Sequence, residues 1–500
     1  CGAAVAGEVP PVPVAAAVAP PPPLGPHAKG KDFVDFDEDL QVADIVNAVA
    51  EGYAELELVK RFSTVGMGPS QGRHSALNTA RIVARETGRA AAEVGVTTAR
   101  PPVYRERVGK LPGRSYEPDR RTAMHHRHLE AGAQMMTAGL WWRPAFYGPR
   151  ERRESAIAGE ALAVRRNLGV IDVSTLGGLE VRGPDAAEFM NRVYTFAYLR
   201  QPVGRARYVL MTNDAGTIVD DGVACRLAED RFYVTTTTTG AERVYRTMLW
   251  WNAQWRLEVD VANVSVALAA VNIAGPRARE LLARLVEGID LAAEAFPYMG
   301  VRAGNVAGIP ARLFRVGFVG ELGFEVHVAA SHGEALWDAV FDAGRDLDIA
   351  PFGVEAQRLL RLEKGHIIIG QDSDAMTTPE EAHMSWALSR RKPFFVGKRS
   401  LEVRDRHLSK RKLVGFAIDD PFAPLPRESN LVVIDGRIAG FVTSVARSPA
   451  LGRVIGLAYT AREASEPGAA LPIRLDNGRS LAAEVAALPF YDPDNLRQEM

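Results

Sequence analysis

Val181-Arg182-Gly183-Pro184-Asp185-Ala186-Ala187-Glu188-Phe189-Met190-Asn191-Arg192-Val193 recurs, in residue type at most positions, as Ile273-Ala274-Gly275-Pro276-Arg277-Ala278-Arg279-Glu280-Leu281-Leu282-Ala283-Arg284-Leu285. Each copy reads as a strand, a Gly-Pro break with proline near the first helical position, and an amphipathic helix. Two copies of one strand-turn-helix unit predict a pseudo-symmetric α+β domain whose sheets face a common centre. Beyond the first copy, Arg231 to Thr239 is a β-branched strand ending in five threonines. Beyond the second, Ala311 to Val328 predicts a hairpin through Gly320-Glu321-Leu322-Gly323, closed by the alternating Phe324-Glu325-Val326-His327-Val328. Phe324 and Val326 share one face of that strand, which gives the Glu325 carboxylate the other face to itself. It reads either as an outward-facing strand residue or as a ligand-binding carboxylate in a cavity.

Within the first half, Tyr208-Val209-Leu210-Met211-Thr212 ends in Asn213-Asp214-Ala215-Gly216 and restarts on Ile218-Val219-Asp220-Asp221. Asn213 to Gly216 is a hairpin signal, because Gly216 accepts the positive φ that such a turn demands. Side chains alternate along a strand, so Asp220 and Asp221 point to opposite faces and one of them can look into an interior cavity. Asp221 is the candidate catalytic carboxylate, although a carboxylate at a strand start also reads as a solvated or capping residue.

The 500 residues, 47% of them hydrophobic, can bury more than one core, which corresponds to about two to four domains. A formal net charge of -1 gives no electrostatic reason for a nucleic-acid or membrane-surface partner, while small anionic ligands need only local positive charge. The two cysteines, Cys1 and Cys225, supply neither a disulfide framework nor a cysteine-rich metal site, which fits a reducing cytoplasm. No apolar run reaches the roughly 18 residues that a membrane helix needs. The chain opens on Cys1-Gly2-Ala3-Ala4 without a starting Met, as if cut from a longer polypeptide, and lacks the basic start of a secretory signal.

From Val9 to Gly30 runs an Ala/Pro/Val linker with extended polyproline preference. Asp39 to Phe62 reads as helical, with Ile45, Val46, Val49, Ala50 and Tyr53 at helical spacing and acidic residues at the start. A second helix is expected from about Ser75 to Thr87. Between them, Gly66-Met67-Gly68-Pro69-Ser70-Gln71-Gly72-Arg73-His74-Ser75 opens a helix N-terminus, a geometry suited to an anion, though the bare pattern favours a helix-helix turn. His125, His126 and His128 have no carboxylate or cysteine at ligand spacing, so no metal is expected there. Trp141-Trp142-Arg143-Pro144 reads as an aromatic anchor packing this segment onto the next domain. From about Lys412, short strands separated by turns such as Asp435-Gly436 and Asp476-Asn477-Gly478 predict an antiparallel barrel or sandwich.

These residues carry a resemblance. The run from about Asp172 to the end resembles the folate-binding fold of the glycine cleavage T-protein (aminomethyltransferase), shared by dimethylglycine and sarcosine dehydrogenases and oxidases. Phe33-Val34-Asp35-Phe36, Gly66-Met67-Gly68-Pro69, Thr97-Thr98-Ala99-Arg100-Pro101-Pro102 and Trp142-Arg143-Pro144 resemble the alpha subunit of heterotetrameric sarcosine oxidase. So do Leu362-Glu363-Lys364-Gly365-His366-Ile367-Ile368-Ile369-Gly370-Gln371-Asp372 and Pro393-Phe394-Phe395-Val396-Gly397-Lys398-Arg399-Ser400. The resemblance implies an α+β chain with a linker over 1-30, a small helical N-terminal domain over 31-120, a pseudo-symmetric T-protein-like folate-binding core over 121-405 and a C-terminal antiparallel β-barrel over 406-500. That subunit's dinucleotide-binding portion would be missing.

By the same resemblance, the acid at folate's reactive nitrogen falls on Asp221 and the pterin-holding carboxylate on Glu325. An aromatic upstream of the acid falls on Tyr208, and Leu176 takes a methionine's pocket position. Thr237 stands where the T-protein has asparagine, and Gln357 where it has arginine. Relatives with an iron-sulfur cluster have cysteines at Ser70 and Ser75; serine hydroxyls do not replace thiolates, so no cluster and no metal are expected. The implied activity is folate-dependent one-carbon transfer within a sarcosine (N-methyl amine) oxidase, trapping the methylene-iminium product on tetrahydrofolate to give 5,10-methylenetetrahydrofolate and glycine. A stand-alone aminomethyltransferase and a non-catalytic scaffold are the alternatives. No Gly-x-Gly-x-x-Gly opens a strand-helix unit here, so FAD, FMN and NAD are expected only on partner beta, gamma and delta subunits, at interfaces or in the missing region.

Overall fold

The computed structural model describes residues 29-98, 118-404, 410-420 and 422-500, so nearly all of the Val9 to Gly30 linker and the run Ala99 to Pro102 lie outside the described residues. The chain divides into two compact units, Cys1–Glu117 and Pro118–Met500. Among the described residues no helix is long and apolar enough to cross a membrane.

In the first unit β1 (Phe33–Asp35) pairs antiparallel with β2 (Leu40–Gln41), and α1 (Val42–Ala50), α2 (Leu56–Ser63), α3 (Ala76–Thr87) and α4 (Ala91–Val94) follow. The helix expected over Asp39 to Phe62 is two, because the chain turns after Ala50, where Gly52 N–H donates to Val49 O at 2.9 Å. Ile45, Ala48, Val59, Ile82 and Val83 form the core. The glycine-rich turn before α3 does hold an anion, and it is the chain's own. Asp35 Oδ2 accepts Gly66 N–H at 2.7 Å and Ser75 Oγ–H at 3.0 Å, while Asp37 Oδ2 accepts Ser70 N–H at 2.7 Å. His74 Nε2 lies 3.4 Å from Asp35 Oδ1. These carboxylates staple the turn by accepting two backbone N–H groups of the loop and the hydroxyl of the residue that precedes α3.

The second unit begins with α5 (His125–Glu130), β3 (Ala133–Ala138), β4 (Trp141–Tyr147), α6 (Arg153–Arg166) and β5 (Gly169–Asp172). The first repeat gives β6 (Gly177–Arg182), α7 (Ala186–Val193), β7 (Arg205–Thr212), β8 (Ile218–Ala228), β9 (Arg231–Thr236), α8 (Ala241–Trp255) and β10 (Asp260–Asn263). The second gives β11 (Leu268–Ala274), α9 (Ala278–Ala283), β12 (Val286–Glu287), β13 (Val301–Val306), β14 (Ile309–Phe314), β15 (Gly323–Ala329), α10 (Gly333–Ala343), β16 (Ala350–Pro351) and α11 (Val354–Glu363).

One sheet has the order β10-β6-β9-β8-β7, and the other contains β5-β11-β15-β14-β13 in the same order. The repeat in sequence is therefore a repeat in topology, with every pair in both runs antiparallel. Gly183 and Gly275 occupy equivalent breaks at φ 141° and 133°. A Cβ there would lie 2.1 Å from Glu258 O and 2.5 Å from Asn167 O, so only glycine fits either copy. One face of each sheet packs on its helices, through Phe189, Phe232 and Val234 in the first half and Leu281, Phe324 and Val326 in the second. The other faces meet through Ala206, Cys225 and Tyr233 against Val301, Phe314 and Val316. The edges β7 and β13 are stitched by Ala206 N–H to Met299 O at 2.7 Å and Val301 N–H to Gly204 O at 2.8 Å.

Past α12 (Lys398–Arg404), the C-terminal strands are β17 (Arg411–Ile418), β18 (Leu431–Ile434), β19 (Arg437–Ser448), β20 (Arg453–Ala461), β21 (Ile473–Arg474), β22 (Ser480–Leu481) and β23 (Glu484–Ala486). They form one antiparallel sheet around Phe416, Val432, Val442, Val454 and Ala458, with Asp435-Gly436 turning between β18 and β19. The stretch Leu362 to Asp372 ties this sheet to the core. Arg361 and Asp372, 1% and 0% exposed, pair at 2.6 Å. Asp372 Oδ1 also accepts the hydroxyls of Thr443 and Ser444 on β19, each at 2.6 Å.

His128 is buried between Asp172 and Tyr147, each at 3.0 Å, and His126 is exposed, so the three histidines share no centre. Trp141 and Trp142 anchor within this unit: the Trp142 indole N–H donates to Asp119 at 2.9 Å and Arg120 lies over Trp141.

Candidate functional site

The hairpin of β7 and β8 turns where the sequence predicts, with Gly216 N–H donated to Asn213 O at 2.9 Å. Leu210 faces Asp221 and Tyr208 faces Val223 across the pair, which sets Tyr208 and Asp221 on a diagonal. The Tyr208 hydroxyl spans it and donates to Asp221 Oδ2 at 2.8 Å. Trp386, from the segment before α12, packs its ring 5.0 Å from that of Tyr208. Burial pushes Asp221 up to about 6, against the Tyr208 hydrogen bond that pulls it down.

Asp220 takes the opposite face, as alternation requires, yet it is no solvated residue, being 2% exposed. It accepts Thr237 Oγ1–H at 2.7 Å and Thr237 N–H at 3.2 Å. Burial and then the Asp221 charge push it up to about 7.

Asp221, Val223 and Cys225 share one face of β8, because they alternate with residues of the helix-packed face. Val223 and Cys225 line a narrow cavity between the two sheets, together with Tyr233 and Thr235 of β9, Phe314, Val316 and Glu325. The internal symmetry thus sets Glu325 across from the Asp221 strand. Its face is not its own, as the sequence pattern suggested: His327, two residues on, shares it and places Nε2 3.2 Å from Glu325 Oε2. Across the cavity the His327 Nδ1 meets the Tyr233 hydroxyl at 3.4 Å.

Leu176, half-buried, follows β5 and packs on the cluster containing Val173, Ala356 and Leu359. Its loop meets that of Thr237 through the hydroxyls of Thr175 and Thr238, 3.2 Å apart. The Thr237 hydroxyl donates to Asp220 and accepts Gly240 N–H at 3.1 Å, so its proton is already committed. Gln357, half-buried on α11, has no side-chain hydrogen bond among the described residues, and nothing draws it to Asp221 or Glu325.

The structure thus pairs Tyr208 with Asp221 and brings Leu176 and Thr237 onto touching loops. Trp386, His327 and Tyr233 are added to what sequence reasoning selected. His327 was findable from the same i, i+2 alternation that selected Glu325, whereas Trp386 is far from Tyr208 in sequence and carries no local signal.

Residues 124–392 match the GCVT N-terminal domain, residues 29–114 the sarcosine oxidase A3 domain and residues 411–492 the glycine cleavage T-protein C-terminal barrel domain. Sarcosine oxidase subunit alpha of Corynebacterium sp. (strain P-1) is 38% identical over 485 residues, covering 93% of this chain and 50% of that protein. The chain therefore spans about half the length of the curated relatives of that type. The aminomethyltransferase of Thermotoga neapolitana is 32% identical over 373 residues, covering 74% of this chain and 98% of that protein. The solved aminomethyltransferase T of the Bartonella henselae glycine cleavage system shares the fold, with a TM-score of 0.67 at 24% identity over 75% of this chain and 98% of that one.

Proposed function

Because this chain belongs to the glycine cleavage T-protein (aminomethyltransferase) family, we propose that it is the folate-dependent one-carbon transfer part of a sarcosine (N-methyl amine) oxidase. The observation that carries the reading is the Tyr208-held Asp221, raised by burial to about 6, on the strand face that runs into the Glu325 cavity. The oxidase assignment rests on the A3 match over residues 29–114. The aminomethyltransferase likeness, which covers 74% of this chain, favours a second reading, a stand-alone aminomethyltransferase working with a lipoyl carrier.

The donor set fits tetrahydrofolate, and the cavity, about 10 Å³ as it stands, has to widen to admit a pterin. Glu325 offers one oxygen with no partner among the described residues, facing a cavity walled by Val223, Tyr233 and Phe314. That suits the N–H-rich edge of a pterin, since a carboxylate only accepts. When bound, tetrahydrofolate supplies the nitrogen nucleophile that captures a one-carbon unit. Asp221 then accepts a proton at that nitrogen and stabilises adjacent positive charge, while the Tyr208 hydroxyl holds it in place. The Tyr208 ring beside Asp221 helps to exclude water, which would otherwise hydrolyse a methylene-iminium to formaldehyde, while Trp386 covers that ring from a side that is 60% exposed. Leu176 is the apolar wall on the loop beside Thr237. FAD, FMN and NAD belong to partner subunits, to interfaces or to the half of the relatives' length that this chain does not span.

Glu325→Gln tests the pterin assignment. Losing a charge-assisted hydrogen bond of about 1.5 to 3 kcal/mol weakens tetrahydrofolate binding roughly ten- to a hundredfold with little change in melting temperature. Normal binding with lowered stability would make Glu325 a structural residue.

A further inference from the structure

We infer that His327 is the positioning residue that fixes the Glu325 carboxylate for its ligand; this rests on the folate reading above. Three observations carry it. The imidazole is 4% exposed in its side chain and Glu325 16%, so the contact between them is sheltered from solvent competition. A carboxylate offers only acceptors, so the 3.2 Å contact assigns the proton to His327 Nε2. Nδ1 lies 3.4 Å from the Tyr233 hydroxyl, so both ring nitrogens have a polar partner. The ring is wedged edge-on against Phe314, with centroids 4.6 Å apart, and against Tyr233 at 5.6 Å, so it cannot turn away.

The consequence for Glu325 is geometric. His327 holds Oε2, which leaves Oε1 as the oxygen presented to a ligand, and it removes the rotational freedom that a carboxylate would otherwise lose on binding. The chain Tyr233, His327, Glu325 crosses from β9 of the first sheet to β15 of the second. Recognition by Glu325 thereby depends on the two half-domains being in register.

Two variants separate positioning from packing. His327→Phe keeps the wedged ring and removes the N–H, whereas His327→Gln keeps a donor near the Nε2 position and removes the ring. With folinic acid titrated calorimetrically into the full chain, His327→Phe is expected to bind about tenfold more weakly, as expected for losing a hydrogen bond to a charged group. His327→Gln is expected to stay within about threefold of native. Native-like binding by His327→Phe, or equal losses in both variants, overturns the proposal. The native chain and Glu325→Gln run in parallel assign any failure: no binding by the native chain overturns the folate reading, and normal binding by Glu325→Gln overturns the pterin role of Glu325 and the positioning role with it. If Glu325→Gln is weakened while His327→Phe is not, only the positioning role falls.

Discussion

Asp221→Asn, in an assembled oxidase with tetrahydrofolate in excess, is expected to leave amine oxidation near its native rate and to divert the carbon to free formaldehyde. The transfer step should fall by about a hundred- to ten-thousandfold, the range for general-base help. Asparagine keeps the shape and the Tyr208 hydrogen bond but cannot take a proton. Because Asp221 is raised to about 6, the formaldehyde share of the native enzyme should climb as pH falls from 7 to 5, and the Asn variant should show no such dependence. Asp220→Asn keeps an acceptor toward Thr237 and should leave the ratio near native. An unchanged ratio in Asp221→Asn, or an equal shift in both variants, contradicts the assignment. The same shifts set the sign for stability: folding favours the protonated pair. Its contribution is present below the ordinary carboxylate range and is lost as pH rises through about 6 and 7.

Asp372→Ala is expected to cost about 3 to 5 kcal/mol, because it leaves the Arg361 guanidinium buried without its counter-charge. It also strands the Thr443 and Ser444 hydroxyls that reach Asp372 from β19. Denaturant unfolding followed by a signal from the barrel should show the loss, since this cluster is where the barrel meets α11. A midpoint equal to that of the native chain would mean that the ion pair contributes nothing to the seam.

Local chemistry made much of this legible. Gly183 and Gly275 announce the two-fold repeat because both breaks need a φ that only glycine takes easily, and both copies fold as read. Asn213 to Gly216 turns as predicted, and the diagonal from Tyr208 to Asp221 follows from its register. What failed to show depends on distant residues. Nothing around Gly66 to Ser75 says that Asp35 and Asp37 will fill the turn, since they come from some thirty residues earlier. The run Leu362 to Asp372 reads as a family resemblance, but the chemistry of Asp372 is a buried ion network with Arg361 that only the barrel completes. Asp220 could be assigned a face but not a partner, because Thr237 comes from the next strand's end. Alternation along β15 sets His327 on the face of Glu325, but its contact with Tyr233 comes from the other sheet.

The most direct measurement is a calorimetric titration of tetrahydrofolate into the purified chain, without any flavin-bearing partner. Heat saturating at a single site, abolished by prior addition of folinic acid and reduced in Glu325→Gln, is the predicted result. No heat and no competition would contradict a folate-binding function for this core, and leave it a scaffold.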